Sequence, residues 1–518
     1  MNKFKFSLMP SYVAILVLLI GFVQCRPAIS PNAHIGNKPL SPIESAILED
    51  TESFYFIDFE NYPFGDNSLP IGVFDSGTGG LTILNSLLDF DRHNNENGDL
   101  GPDQKPDFRN ENFIYLADQA NMPYGNYYAE DKSDLLIEHI LKDAQFLLSN
   151  KYYLEGDKVY QKDKLPIKAM VIACNTATAY GKETLENFMA KTGVPLKVIG
   201  VIDAGAKGAL SHFDKMEDGS IAVFATVGTI ASKGYEKTIF EKAKELGYGG
   251  DIQVYNQGGH GIAEAVDEEP DYIQRELNEP REDYRGPGLD HPEFSIDRTL
   301  MDVYNFDFDH NKMLCDADNT QDCQVLQINS SENYVRYHLV SMMEKIRKSD
   351  DPKPLKVVML GCTHYPYLSQ EITDVLDELY DYQKNGKYVY RPYMATKIEL
   401  VDPAVNVAEE LYDYMKSENM FNPEGDMNHS EFYISVPNKN NPNVKIDEKG
   451  RFPYEFKYGR NAGEIQEYVQ VVPFSAGNIP TETLDRLEAS VPTTYKIIKK
   501  FTNENNKTRN LSTKERIK

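Results

Sequence analysis

The chain has 518 residues, which is room for about two to four domains and a large hydrophobic core. It carries 54 basic and 80 acidic side chains, so its formal net charge is −26. Nucleic acid is therefore not an expected partner, because phosphate binding needs clustered cations. A hydrophobic content of 41% excludes a wholly disordered chain. The five cysteines are too few for a disulfide scaffold, and their odd number leaves at least one outside any intrachain bridge.

The N-terminus has the pattern of a secretory signal. Two lysines precede an apolar run over 12–23, which is shorter than the roughly 20 residues that a spanning helix needs. We predict a signal peptide over 1–24 and a tether over 25–67, and hence an exported protein, periplasmic or held at a cell-envelope membrane. Cys25 directly follows the apolar run. Two interpretations stay open: lipidation at Cys25, which would anchor the chain, or a signal without lipidation, cleaved or retained as an anchor.

Short apolar segments alternate with helix-like segments along most of the remaining chain. Strands are predicted at 71–75, 112–117, 169–173, 198–202, 221–226, 252–255, 355–360 and 398–401. Strands that are apolar on both faces and separated by helices are typical of parallel sheets in α/β proteins. The length accommodates two such sheets better than one.

Polar and irregular stretches interrupt this alternation. They occupy 91–110, 268–331, 381–393 and much of the region after 417. We expect them to be surface insertions on a smaller enzyme core. Cys315 and Cys323 lie within the acidic insertion 268–331, and in an oxidising compartment they are predicted to form a local disulfide.

The first strand ends in a polar, glycine-rich turn, Asp75-Ser76-Gly77-Thr78-Gly79-Gly80. Its glycines allow backbone amides to approach an anion at the start of a helix. The turn lacks the Gly-Lys-Ser/Thr ending of a nucleotide phosphate loop. A tight strand-to-helix turn explains the glycines equally well, but it explains Asp75 and Ser76 less well.

Two other strands end in a cysteine, in Cys174-Asn175-Thr176 and in Cys362-Thr363-His364. In open α/β sheets, ligands bind at the carboxyl ends of the strands. A thiol at a helix N-terminus is expected to have a lowered pKa, which suits a nucleophile or a base, and His364 is a candidate acid/base partner. The competing interpretations are buried apolar cysteines and a disulfide between these two. The spacing lacks the ligand pairs of a metal site, so no metal is expected.

Several segments together carry a family resemblance. They are 71–82, 115–118, 122–125, 173–179, 200–202, 225–235, 360–366 and 401–404. Each is weak alone, but in this order, most of them at a strand end, they resemble the cofactor-independent aspartate/glutamate racemases. The resemblance covers roughly 70–270 and 332–415, about half of the chain.

The resemblance implies an architecture. It predicts an α/β protein with two pseudo-symmetric, flavodoxin-like (doubly wound) parallel-sheet domains and the active site between them. The first domain would comprise 68–198 and 395–500, and the second 199–394, including the acidic insertion. Residues 501–518 would form a tail. A homodimer is a further expectation.

The resemblance also implies a reaction, the racemisation of a small acidic amino acid, glutamate in the first place, without a cofactor. Because the α-proton is a very weak acid, two bases on opposite faces of the α-carbon are required. Cys174 would take the proton from the D-isomer and Cys362 from the L-isomer. Asp75 would assist Cys174, and His364 would assist Cys362.

Other positions match the family's substrate pocket. They are Ser76, Pro123, Tyr124, Gly125, Asn175, Thr176, Thr226, Thr229 and Thr363. The family's auxiliary carboxylate, usually a Glu, corresponds to Asp267, whose side chain is one methylene shorter. A solvated helix face explains Asp267, Glu264 and Glu268 equally well.

Export is unusual for this family, which normally makes D-glutamate for cell-wall precursors in the cytoplasm. Two alternatives therefore stay open. One is the same chemistry on aspartate or a related acid, and the other is a surface-anchored binding protein on a racemase scaffold. The intact pair Cys174 and Cys362, together with Asp75 and His364, favours an enzyme.

Overall fold

The computed structural model describes residues 39–317 and 319–518. The predicted signal peptide over 1–24 and the lipidation candidate Cys25 lie outside the described residues. In the part of the chain that the structure describes, no helix is both long enough and apolar enough to cross a membrane.

Strands and helices alternate along the chain, as the hydrophobic pattern predicts. The strands are β1 (Ile71–Asp75), β2 (Phe113–Ala117), β3 (Ala169–Ile172), β4 (Lys197–Gly200), β5 (Gly219–Ala225), β6 (Ile252–Gly258), β7 (Met313–Cys315), β8 (Leu326–Ile328), β9 (Leu355–Gly361), β10 (Gln383–Lys384), β11 (Lys387–Tyr388), β12 (Met394–Val401), β13 (Glu431–Pro437) and β14 (Val469–Pro473). The α-helices are α1 (Pro42–Leu48), α2 (Leu81–Leu88), α3 (Asn126–Ala129), α4 (Ser133–Leu148), α5 (Asn175–Thr192), α6 (Val201–Leu210), α7 (Val227–Ala231), α8 (Gly234–Glu245), α9 (Ile262–Val266), α10 (Met301–Tyr304), α11 (Ser331–Lys348), α12 (Ser369–Asp381), α13 (Pro403–Ser417), α14 (Tyr454–Gly459), α15 (Thr481–Ser490) and α16 (Pro492–Glu504).

Two sheets of mainly parallel strands form the framework. The first has the order β14-β13-β2-β1-β3-β4; its edge pair β13–β14 is antiparallel and its other pairs are parallel. The second has the order β12-β9-β5-β6, with every pair parallel. The predicted α/β class with two sheets is confirmed.

The two sheets are pseudo-symmetric. In the first sheet the run β2-β1-β3-β4 corresponds to β6-β5-β9-β12 in the second, and both runs follow the same chain order. The strands β3 and β9 therefore occupy equivalent places. Cys174 follows β3 and Cys362 follows β9, so the two thiols lie at equivalent strand ends.

Alternate residues of each strand pack into different cores. Val73 of β1 and Val223 of β5 belong to one continuous core that spans both sheets and includes α2, α6 and α13. Phe74 packs into a separate core on the other face of the first sheet, and Phe224 does the same on the second. The shared core fixes the carboxyl ends of the two sheets relative to each other.

The predicted tether over 25–67 is wrong for its second half, which is folded. Ser41 begins α1 as its N-cap: its hydroxyl accepts from the Glu44 N–H at 3.4 Å, and the Glu44 carboxylate accepts from the Ser41 N–H at 2.8 Å. Ile43 and Ile47 are buried in the core of the first sheet. The polar composition had indicated a linker, but these apolar residues, one helical turn apart, bury one face of the helix.

Two C-terminal boundaries also differ from the prediction. β12 is hydrogen-bonded to β9 in the second sheet, so the chain returns to the first domain after Val401 and not at 395. The predicted tail 501–518 is packed: Phe501 and Ile517 are buried, and Arg516 donates to the Thr502 carbonyl. Apolar side chains spaced along the last helix and the C-terminus explain this packing.

The acidic insertion 268–331 has little regular structure of its own. Its antiparallel ribbon, β7–β8, is closed by a disulfide between Cys315 and Cys323, the pair expected from the sequence. Leu326 and Ile328 anchor the ribbon in the core of the second domain.

Candidate active site

A cleft of about 1150 Å³ opens where the carboxyl ends of the two sheets meet. Cys174 and Cys362 both line it, and both are free, buried thiols. The structure therefore excludes the interpretation that these two cysteines form a disulfide. Since each thiol comes from a different sheet, a small molecule in the cleft can be approached from two sides.

The turn after β1 forms part of the cleft wall and touches the second domain. The Gly80 N–H donates to Asp75 Oδ2 at 2.6 Å, which holds this carboxyl in place. A Cβ atom at residue 79 would lie 2.6 Å from Thr363 Oγ1, so this close approach between the domains requires glycine.

Cys174 is the N-cap of α5, where the Ala177 N–H donates to its sulfur at 3.4 Å. Its thiol points to the Ser76 hydroxyl at 3.8 Å. The expected lowering of the Cys174 pKa is wrong. Burial and the Asp75 carboxylate raise the pKa of this thiol well above its usual range, although the helix N–H opposes them. Cys174 is therefore protonated in this state.

Cys362 is the end of a chain of polar contacts. Its sulfur lies 3.6 Å from His364 Nδ1, and His364 Nε2 lies 3.1 Å from Asp267 Oδ2. Burial alone would lower the pKa of His364, but the charge and hydrogen bond of Asp267, together with Cys362, raise it well above its usual value. A positively charged imidazole therefore lies beside the Cys362 sulfur.

Asp267 reaches His364 in spite of its shorter side chain. It directly follows α9, and its carboxylate is nearly enclosed. Burial raises its pKa, but His364 and Arg486 more than offset this, so the net pKa is lowered and the group is charged. The shorter side chain is sufficient because the end of α9 lies close to the imidazole.

Most predicted pocket residues line the cleft. They are Ser76, Pro123, Tyr124, Gly125, Asn175, Thr176, Thr226 and Thr363. Tyr124 presents its ring, because its hydroxyl lies 2.6 Å from Asp118 Oδ2 and 2.7 Å from Asp143 Oδ2. Thr229 differs from the prediction. It lies behind the cleft wall, with its hydroxyl 2.9 Å from that of Thr226 and 3.1 Å from that of Thr176.

The sequence prediction missed two charged residues at the site, and it treated a third, Glu264, only as part of a possible solvated helix face. Glu264 lines the cleft, and burial raises its pKa. Lys457, also at the cleft, donates to the Met122 carbonyl, and burial lowers its pKa to about 8. Arg486 forms an ion pair with Asp267 at 2.7 Å. The last two belong to the C-terminal region, where no sequence pattern connects them to the motifs.

One cluster of side chains with metal-ligand spacing occurs in the described residues, Cys315, Asp316 and Cys323. Its two sulfurs are joined in the disulfide and are not free thiolates. The cluster does not contribute to the cleft lining.

Comparisons with known proteins point to one family, although no family model matches the chain. A glutamate racemase of Lactobacillus johnsonii is 26% identical over 352 residues, which cover 68% of this chain and 83% of the relative. One from Lactobacillus helveticus is 24% identical, over 71% of this chain and 88% of the relative. One from Enterococcus faecalis is 36% identical over 180 residues, 35% of this chain and 50% of the relative.

Solved structures of glutamate racemases are also similar. One from Bacillus anthracis has a TM-score of 0.40 at 20% identity, over 71% of this chain and 87% of that one. One from Francisella tularensis, solved with D-glutamate, has a TM-score of 0.39 at 19% identity, over 76% of this chain and 95% of that one.

Two parallel-sheet domains each bring a free cysteine to one cleft. Together with the glutamate racemase relatives, this arrangement supports an amino-acid racemase, an isomerase. The sequence comparisons confirm the expected resemblance to the aspartate/glutamate racemases.

Proposed function

We propose that the protein interconverts L- and D-glutamate by moving the α-proton between two cysteines, without a cofactor. The observation that carries the proposal is that Cys174 and Cys362, at equivalent strand ends, line one cleft as free thiols. The glutamate racemase relatives support the choice of substrate.

The charged groups beside the two cysteines suit turnover from the L-isomer. The Cys362 sulfur, beside the His364 imidazolium, is the base that removes the α-proton. Cys174, kept protonated by burial and Asp75, is the acid that returns a proton to the opposite face. One turnover leaves Cys362 protonated and Cys174 ionised, which is the state that removes the α-proton of the D-isomer.

The cleft also offers partners for an acidic zwitterion. Hydroxyls of Ser76, Thr176 and Thr226 and the Asn175 amide can bind carboxylates, and Lys457 adds a positive charge. Such donors can stabilise the charge that develops on the substrate carboxylate during proton removal.

Exchange of the α-proton in D2O tests the proposal. We expect the α-proton signals of L- and D-glutamate to disappear from the NMR spectrum as the opposite isomer forms, faster than with aspartate run in parallel. Added pyridoxal phosphate or a chelator should not change the rate. Faster exchange with aspartate would identify aspartate as the preferred substrate. Exchange with no isomer of either acid would favour the binding-protein alternative.

We also propose that the protein is exported. The disulfide between Cys315 and Cys323 supports this, because such bonds persist in oxidising compartments. Cell fractionation followed by thiol counting without reduction tests it: Cys315 and Cys323 should be unreactive in protein from the cell envelope. Reactive thiols at both positions in a cytoplasmic fraction would contradict it. Lipidation of Cys25 and a homodimer stay predictions.

A further inference from the structure

Arg486, on α15 of the C-terminal region, reaches the catalytic half that holds Cys362. Its Nη2 lies 2.7 Å from Asp267 Oδ1, while the other oxygen of the same carboxylate contacts His364 at 3.1 Å. Its Nη1 donates to the Val266 carbonyl at 2.6 Å, at the end of α9. The Arg486 guanidinium thus contacts both the Asp267 carboxylate and the backbone carbonyl of the preceding residue.

The two ends of this contact come from different domains. α15 packs against α16, and α16 packs against α2 and β13 of the first domain. Asp267 and Val266 belong to the second domain. The guanidinium also lies 5.7 Å from the ring of Tyr367, three residues after His364. Arg486 therefore connects the first domain to the segment that carries the Cys362 machinery.

A buried carboxylate between two cations has little freedom to rotate. His364 and Arg486 each contact a different oxygen of Asp267, so the plane of the carboxylate is fixed, and with it the direction of its contact with His364 Nε2. A ring held at Nε2 presents Nδ1 to the Cys362 sulfur in one orientation. Without the guanidinium, the carboxylate could turn away from the imidazole.

We propose that Arg486 is a positioning residue for the Cys362 half of the reaction, acting through Asp267 and His364. The proposal rests on the proposed function. It assigns a role to the C-terminal region, which lies outside the segments that carry the family resemblance. Cys174 has its own partners, Asp75, Ser76 and Ala177, and Arg486 is not among them.

The test compares isotope effects from the two isomers in the full-length Arg486→Met variant. Enantiomers have equal free energies, so kcat/KM must fall equally in both directions. The isotope effects distinguish the two steps. If only the barrier to proton transfer at Cys362 rises, removal of deuterium from α-deuterated L-glutamate becomes more rate-limiting, so its deuterium isotope effect increases. Removal of deuterium from the D-isomer by Cys174 becomes less rate-limiting, so that isotope effect decreases towards unity.

We expect Arg486→Met to lower kcat/KM by about ten-fold, a part of what a positioned acid–base group contributes. Arg486→Lys should recover a large part of this loss, because the charge remains beside Asp267. Lys496→Met is the matched control: it removes a positive charge from an exposed side chain on α16 and should behave like the unchanged protein. Thermal unfolding identifies any variant that fails to fold.

Equal changes in the two isotope effects, unchanged kinetics in Arg486→Met, or a folded Arg486→Lys variant with no recovery would each overturn the positioning role. These outcomes require an unchanged protein that racemises glutamate, so they leave the proposed function intact. An unchanged protein that racemises neither glutamate nor aspartate would overturn both.

Discussion

The two cysteines occupy equivalent strand ends, yet their charged neighbours differ. Cys174 faces Asp75, and together with burial this carboxylate favours the neutral thiol. Cys362 faces an imidazole whose pKa is raised, so a positive charge lies beside its sulfur. Under the proposed function, this asymmetry of neighbouring charge distinguishes the roles of the two cysteines, which two identical environments would not do.

Replacing either sulfur should separate exchange from racemisation. In Cys174→Ser and Cys362→Ser, racemisation should fall by about 10² to 10⁴-fold, because a hydroxyl is a poor base at neutral pH. Cys174→Ser should still exchange the α-proton of L-glutamate with solvent, and Cys362→Ser that of D-glutamate. NMR in D2O and circular dichroism measure exchange and racemisation.

The double variant Cys315→Ser with Cys323→Ser is the control, since it replaces cysteines by serine outside the cleft, where they form a disulfide. It should lower the melting temperature and leave the exchange rates unchanged. Near-normal racemisation in either single variant would contradict the two-base assignment.

The ion pair between His364 and Asp267 should make stability depend on pH. The pKa of His364 is higher in the folded protein than its usual value, so the folded state binds the proton more tightly. This contribution is fully present below about pH 6.5, the value for the unfolded chain, and is lost as the pH rises through the folded pKa. Each unit of difference corresponds to about 1.4 kcal/mol.

Urea unfolding of the unchanged protein and of His364→Asn measures this effect. The difference in unfolding free energy between the two should be largest below about pH 6.5 and should shrink as the pH rises through the folded pKa of His364. His212→Asn, at an exposed histidine, controls for the substitution itself. A difference that stays constant or grows with pH would mean that His364 is not protonated in the folded protein.

At the scale of elements, the segment between β13 and β14 supplies the cleft with a cation. It carries α14, whose Lys457 contacts the Met122 carbonyl, just before Pro123 and Tyr124. On α14, Tyr458 donates to the Pro123 carbonyl at 3.4 Å. α14 therefore covers the turn that the family resemblance identifies as part of the substrate pocket.

Removing this cation should weaken substrate binding more than the chemical step. We expect Lys457→Met to raise KM for glutamate by about five-fold, corresponding to about 1 kcal/mol of lost attraction, and to change kcat less. Because burial lowers the pKa of Lys457 to about 8, KM of the unchanged protein should rise above that pH as the amine loses its charge. Steady-state kinetics against pH measure both.

Lys445→Met is the matched control, since it removes an exposed lysine from the same segment. It should leave KM unchanged at every pH. A Lys457→Met variant whose KM still rises above pH 8 by as much as that of the unchanged protein would remove Lys457 from substrate binding.

Some residues of the site could be predicted from the sequence, and others could not. Apolar strands that end in Asp75, Cys174 and Cys362 are local signals, so the sheets and these residues could be predicted from the sequence. Arg486 and Lys457 could not, because each reaches the cleft through the packing of a distant helix and neither lies in a motif. The Cys174 pKa was mispredicted because a helix N-terminus is visible in sequence, whereas burial beside Asp75 is not.

At the scale of the molecule, segments that are far apart in the chain pack into the same domain. α1, near the start of the described residues, packs on α4. The Glu44 carboxylate accepts from Lys191 at 2.7 Å, in the last turn of α5, the helix that Cys174 caps. Tyr55 and Ile57 continue this contact into the same core. The segment 41–57 is therefore a part of the first domain, although its composition indicates a tether.

Two truncations should distinguish these interpretations of the N-terminus. Removing residues 1–38 leaves the Ser41 cap and α1 in place, so we expect a folded and active protein. Removing residues 1–67 also removes Ile43, Ile47, Tyr55 and Ile57, each buried. At about 1.5–3 kcal/mol for each buried side chain, the loss approaches the 5–15 kcal/mol that typically stabilises a domain. The longer truncation should therefore aggregate or melt at a much lower temperature.

Expression of both truncations, followed by thermal unfolding and the exchange assay, gives the comparison. Ser41→Ala in the shorter truncation is a graded control, because loss of the N-cap should cost only about 1 kcal/mol and preserve activity. If the longer truncation melts at the same temperature as the shorter one, then α1 is not needed for the first domain, and the tether would extend to residue 67 after all.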